Sequence, residues 1–170
     1  LSTTLPESAA ASRAAKYGLD VASVNGATVT VLSGAVTAID TLAADLTRDG
    51  IEYQRLHLTR AAHSVELDGI LPDFVSHLRG MTLLPPGVDC VSNVTGTWLT
   101  SSEASSPAYW TRHLRSTVRF HDGLSSVLAR YPNAALLELG PGGALSGLAR
   151  GHANRQTEQP VVPLSRHVSE

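Results

Sequence analysis

A histidine followed directly by a serine, His63 and Ser64, is the pair with the widest chemical scope in this chain. An imidazole titrates near neutral pH, which suits a base that takes a proton in one step and returns it in the next. Ser64 is a poor match as the nucleophile, because adjacent side chains rarely converge on one reacting atom. His63 is also one of seven histidines, and a lone histidine is commonly a surface or satisfied core residue. His57 lies close in sequence, but no spaced set of Cys, His and carboxylates completes a metal site, so no metal is expected. Gly140-Pro141-Gly142-Gly143 precedes a helical stretch, where free amides attract anions. It lacks the lysine and the serine or threonine of a phosphate loop. Trp98 and Trp110 read as packing anchors rather than cofactor contacts.

Composition narrows the classes. With 42% hydrophobic residues over 170 positions, one ordinary globular core is within reach. The 13 basic and 15 acidic residues are spread along the chain, which leaves no basic footprint for nucleic acid and no polybasic membrane anchor. No apolar run is long enough to cross a bilayer. Cys90 is the single cysteine, so an internal disulfide is impossible, and a reducing cytoplasm is the expected compartment. No nucleic acid and no membrane partner is expected.

The elements that must position these residues fall into two groups. Leu1 to Thr4 reads as a strand, and Pro6 opens an alanine-rich helix that ends near Gly18. Val21, Val24, Val29, Val31 and Leu32 flank Asn25-Gly26, a dipeptide suited to the positive φ angles of a hairpin turn. Val36, Ile39, Leu42 and Leu46 recur at helical spacing up to Gly50, and Ile51 to Leu56 reads as a strand. The order strand, helix, strand, strand, helix, strand predicts a ferredoxin-like unit. Beyond it, Leu67 to Leu78 reads as an amphipathic helix whose first regular turn is delayed by Pro72. Val88 to Val94 reads as a buried strand, and Ser106-Pro107 opens a helix through Trp110 and Leu114. A helix over Asp122 to Arg130, a turn at Tyr131-Pro132-Asn133, an apolar strand Ala135 to Leu139 and a helix Ala144 to Ala149 follow. The fold class is α/β. Two strands are too few for an independent doubly wound sheet, so further strands are expected to complete it.

Five blocks now stand in order: GLDVASVNGATVTVLSG ending at Gly34, RAAHS at Arg60 to Ser64, SNVTG at Ser92 to Gly96, YWTRHLRSTVRFHDG at Tyr109 to Gly123, and LLELGPGGALSGL at Leu136 to Leu148. In sequence and spacing they resemble the acyltransferase domains of modular polyketide synthases, from the first residues to the last. VVPLSR, from Val161 to Arg166, resembles the linker that follows such domains. The resemblance implies a ferredoxin-like small subdomain over residues 1–57, the C-terminal part of an α/β-hydrolase-like large subdomain over 58–155, and a linker over 156–170. It also implies that the glycine-rich ELGPG segment is structural.

In that family a serine in a Gly-His-Ser-x-Gly elbow attacks the thioester of an acyl-CoA. It holds the acyl group until the phosphopantetheine thiol of an acyl carrier protein collects it. No such motif occurs in these 170 residues. The resemblance places the elbow, a glutamine-containing oxyanion segment and a carboxylate-binding arginine in a segment preceding the ferredoxin-like unit, and makes a neighbouring ketosynthase a further partner. It implies that His63 is the general base, that the main-chain carbonyl of His113 orients its ring, and that Asn93 supports the neighbourhood. Asn93 reads equally well as a turn residue. No permanently bound cofactor is implied; the CoA thioester and the carrier's phosphopantetheine are substrates. Malonyl-selective relatives carry His-Ala-Phe-His up to the base and methylmalonyl-selective ones Tyr-Ala-Ser-His, whereas this chain has Arg60-Ala61-Ala62-His63. Arg60 and Ala62 are therefore the expected contacts to the extender unit, with malonyl expected and a substituted malonyl as the alternative. An acyl hydrolase using the same residues and a non-catalytic scaffold remain as other classes.

Overall fold

The protein is described from a computed structural model, which covers residues 1–56, 58 and 60–165. His57, and the end of the expected linker from residue 166 onward, lie outside the described residues.

The first group folds as its periodicities dictate. Strands β1 (Ser2–Thr3), β2 (Asp20–Gly26), β3 (Val29–Ser33) and β4 (Tyr53–Gln54) form an antiparallel sheet in the order β2-β3-β1-β4. Helices α1 (Glu7–Lys16) and α2 (Val36–Arg48) supply Ala10, Ala14, Ile39, Leu42 and Leu46 to a core shared with Leu1, Leu19 and Leu32. This is the ferredoxin-like topology, in which the second β-α-β unit is interleaved with the first. Val36 falls outside that core and is exposed. Pro6 caps α1 from just outside it rather than occupying its first turn.

The hairpin turn differs from the expectation at Asn25-Gly26. Gly26 still pairs with Val29, and the two-residue turn is Ala27-Thr28. Neither Asn25 nor Gly26 adopts a positive φ, so the property that made the dipeptide a turn signal is not used. Irregularities in the β2–β3 register between Val21 and Ser23 and between Val24 and Gly26 absorb the offset.

The second group is mainly helical. A 3-10 helix (Val65–Ile70) runs into α3 (Leu71–Arg79), with Pro72 in the first turn where its missing N–H costs nothing. Then come α4 (Ser101–Ala104), α5 (Pro107–Arg115), α6 (Phe120–Arg130), β5 (Leu136–Pro141), α7 (Ala144–Arg150) and β6 (Val161–Ser165). Ser106 caps α5 by accepting from the amide of Tyr109. The expected strand over Val88 to Val94 is absent: Val88 is exposed, and the stretch contributes one isolated bridge, Val91 to Trp98. The chain bends there because the buried Ser92 hydroxyl accepts from the amides of Val94 and Thr95. Gly96 completes the bend at φ 69, with no room for a Cβ against Asp122.

Within the stretch expected as linker, Val161–Ser165 forms strand β6, parallel to β5. The apolar strand β5 is largely exposed. Leu137 is 55% exposed, Leu139 76% and Leu164 55%, with Leu145 and Val162 exposed beside them. A two-stranded parallel sheet with bare apolar faces is below the usual sheet size.

The two groups are joined through backbone. Val24 N donates to Val118 O at 2.9 Å and Val118 N to Ala22 O at 2.8 Å, so the free edge of β2 continues into the segment between α5 and α6. Arg119 adds ion pairs to Glu7 on α1 and Asp122 on α6, each 2.6 Å. Among the described residues no helix is long and apolar enough to cross a membrane.

Candidate active site

His63 sits at φ 55, the one residue other than glycine with positive φ among the described residues. Such backbone is uncommon for a residue with a Cβ and persists only where its surroundings enforce it. Ser64 is part of that enforcement. Fully buried, it donates its hydroxyl to Ala61 O at 2.7 Å and accepts from Glu66 N at 3.3 Å, capping the 3-10 helix. Its hydroxyl is thus committed to structure. One residue further on, Val65 N donates to the Asp20 carboxylate at 2.7 Å, across to the start of β2.

The structure brings His63 and His113 together: their rings meet edge to face, with centroids 6.4 Å apart. His113 lies in the last turn of α5, between Tyr109 and Trp110, whose ring centroids are 6.2 and 5.7 Å away. Tyr109 is buried and donates its hydroxyl to Ser92 at 2.8 Å, while Trp110 donates to Ala104 O at 2.8 Å. These bonds fix the aromatic wall behind the two histidines. Both tryptophans pack, Trp98 beneath the Arg130 guanidinium and against Tyr131. Nδ1 of His63 is buried and makes no hydrogen bond among the described residues, so the His113 carbonyl is not its partner here.

The other expected residues are more scattered. Asn93 is exposed, and its carbonyl accepts from Arg119 N at 2.8 Å, a turn role. Arg60 and Ala62 are both exposed, joined by a bond from Ala62 N to Arg60 O. Arg60 and Ala61 line a cleft of about 690 Å³ with Ser33, Arg55 and Glu66, whereas His63 and Ala62 are not in its lining. At the start of α7, Glu138 accepts from the amides of Leu145 and Ser146 at 3.1 and 2.8 Å, so the position an anion would take is filled from within. Among the described residues no three His, Cys, Asp or Glu side chains cluster to hold a metal ion.

Sequence reasoning misses Asp20 and Arg115. Arg115 donates to Asp68 at 2.6 Å and to Asp20 at 3.3 and 3.4 Å, linking α5, the 3-10 helix and β2. The partners are 47 and 95 residues away, beyond the reach of any local pattern.

Comparison with known proteins gives a consistent set of relatives. Residues 2–160 match the family described as Acyl transferase domain. A phenolphthiocerol/phthiocerol polyketide synthase protein of Mycobacterium tuberculosis is 37% identical over 149 residues, which is 88% of this chain and 10% of that protein. The spectinabilin polyketide synthase system protein NorB of Streptomyces orinoci is 34% identical over 157 residues, 90% of this chain and 7% of that protein. Among solved structures, the acyl transferase domain of SpnD, in complex with 2-(pent-4-yn-1-yl)malonyl, superposes with a TM-score of 0.92 at 37% identity, covering 99% of this chain and 41% of that one. The chain therefore spans about a tenth or less of these synthase relatives and under half of the solved domain.

Burial, and after it the charge of His63, hold the His113 imidazole below its ordinary value. The folded pKa then lies below the unfolded one of about 6.5. The native state favours neutral His113, so this contribution is fully present above about pH 6.5 and is lost as pH falls through the depressed folded value. An NMR titration should find His113 below about 6.5, and His63→Gln should raise it without restoring it fully, because burial remains. An unchanged His113 titration in that variant would mean the two rings do not interact.

Proposed function

This chain belongs to the acyltransferase-domain family of modular polyketide synthases, and from that premise we propose that it supplies the general base for loading a malonyl-type extender unit from CoA onto an acyl carrier protein. The observation that carries the reading is the setting of His63: a left-handed backbone enforced by a buried serine cap, with the ring set against His113. In the proposed reaction the imidazole takes the proton of a serine as its oxygen attacks the thioester carbonyl. The C–S bond breaks, the CoA thiolate takes that proton, and an acyl-serine remains. In the second half the pantetheine thiol loses its proton to the imidazole, attacks the acyl-serine, and the serine oxygen recovers the proton.

The serine of this scheme is placed outside the 170 residues, in a segment that also covers β5, β6 and α7. Support for such a segment is the bare apolar surface of those elements, which would otherwise stand in water. The assembled domain is this chain together with that segment. There the His113 carbonyl is assigned to the Nδ1 proton of His63. Carbonyls in the last turn of a helix lack intrahelical partners, which suits the assignment. The carrier protein and a ketosynthase are the partners of this reading, the cytoplasm its compartment, and the CoA and pantetheine thioesters its only small-molecule requirement. The same reading keeps residues 1–57 as the small subdomain.

In the assembled domain, His63→Ala should lower acyl transfer roughly a hundredfold to ten-thousandfold with little effect on folding. Transfer at the normal rate would assign the base to another residue. The extender is assigned as malonyl, with Arg60 and Ala62 as its contacts. Ala62 is small, however, and the SpnD domain was solved with a bulky substituted malonyl, so a substituted unit remains the alternative. One methyl group in a pocket is worth about tenfold to two-hundredfold in selectivity. In competition between malonyl-CoA and methylmalonyl-CoA, Ala62→Phe should depress methylmalonyl loading more than malonyl loading; equal loss of both would remove Ala62 from the selectivity pocket.

A further inference from the structure

We propose that Asp20 and Arg115 are positioning residues for His63, acting as a clamp that sets the histidine-bearing turn against the end of α5; the inference rests on the reading of His63 as the base. Asp20 opens β2 and turns one oxygen to each of the two segments. Oδ2 accepts from Val65 N at 2.7 Å, two residues past His63. Oδ1 accepts from Arg115 at 3.3 and 3.4 Å, two residues past His113. Arg115 closes the triangle by donating Nε to Asp68, in the 3-10 helix that His63 leads into, at 2.6 Å. A single carboxylate on the small subdomain thus holds the backbone two residues past His63 and the guanidinium of the residue two past His113.

The imidazole has need of such a frame. Nδ1 of His63 is buried without a hydrogen bond among the described residues, so no bond at that nitrogen sets its direction. Its backbone lies in the left-handed region, which the Ser64 cap holds from within the turn and Val65 N anchors from without. The Ser64 hydroxyl bonds only within residues 61–66, so it shapes the turn but cannot place it against α5. Asp20 and Arg115 do that. Side-chain exposure of Asp20 and Arg115 is 30% each and of Asp68 51%, and ion pairs this solvated contribute little to stability. Their effect is on geometry, where a displacement of about 1 Å can cost a hundredfold in rate.

The test is a mutant cycle in the assembled domain. Asp20→Ala is expected to lower kcat about tenfold to a hundredfold, with KM for acyl-CoA within about twofold and the thermal midpoint near that of the parent. Asp20→Asn, which keeps an oxygen for Val65 N, is expected to retain more of the rate. In a His63→Ala background Asp20→Ala should cost nothing further, because no ring remains to be positioned. Arg115→Met is carried through the same cycle, with the same expectation, and decides the matter if Asp20→Ala does not fold. An unchanged kcat in Asp20→Ala or Arg115→Met, or an equal loss in both backgrounds, overturns the clamp while leaving His63 as the base. A normal rate in His63→Ala alone removes the base and the clamp together.

Discussion

The backbone pairing of β2 with residue 118 is the constraint on which the rest of the molecule depends. A strand edge left open exposes unpaired N–H and C=O groups, and β2 closes its edge on the segment immediately after α5 rather than on another strand. Thr117 reinforces the joint by donating its hydroxyl to Val21 O at 2.7 Å. Because α5 ends only two residues before Thr117, the joint fixes the C-terminal turn of that helix and with it His113. The small subdomain is therefore the datum from which the histidine pair is positioned, and Asp20, at the head of the same strand, extends that datum to His63.

Much of this is legible in the sequence wherever burial and local chemistry agree. The four strands and two helices of the small subdomain follow from alternating and helical apolar periods, and the interior of α2 is filled by Ile39, Leu42 and Leu46 as their spacing predicts. The Ser106-Pro107 start of α5 is readable because capping acts within four residues. Legibility fails where distant atoms decide. Val88 to Val94 has a strand's composition, but the Ser92 hydroxyl turns the chain after four residues and Tyr109 locks that hydroxyl from 17 residues away. Strand β6 is hidden by Pro163, which belongs only at an edge, and that is where β6 lies.

The candidate site divides along the same line. The chemistry of His63 and its nearness to His113 can be proposed from a resemblance, since residue type and order suffice for that. What sets their geometry cannot. The positive φ of His63 and the structural use of Ser64 are local but leave no mark in residue type, and the three-way contact of Asp20, Asp68 and Arg115 joins segments that meet only in three dimensions. Asn93 and Ala62 stand in the sequence blocks that carry the resemblance, yet both side chains are exposed.

Intact-protein mass spectrometry of the assembled domain with malonyl-CoA tests most directly the proposal that this chain completes an acyltransferase working through an acyl-serine. A malonyl adduct is expected on a serine, persisting in buffer and moving to the phosphopantetheine arm when carrier protein is added. An adduct lost to water as fast without carrier protein as with it, or no adduct at all, would contradict that account and leave a hydrolase or a scaffold in its place.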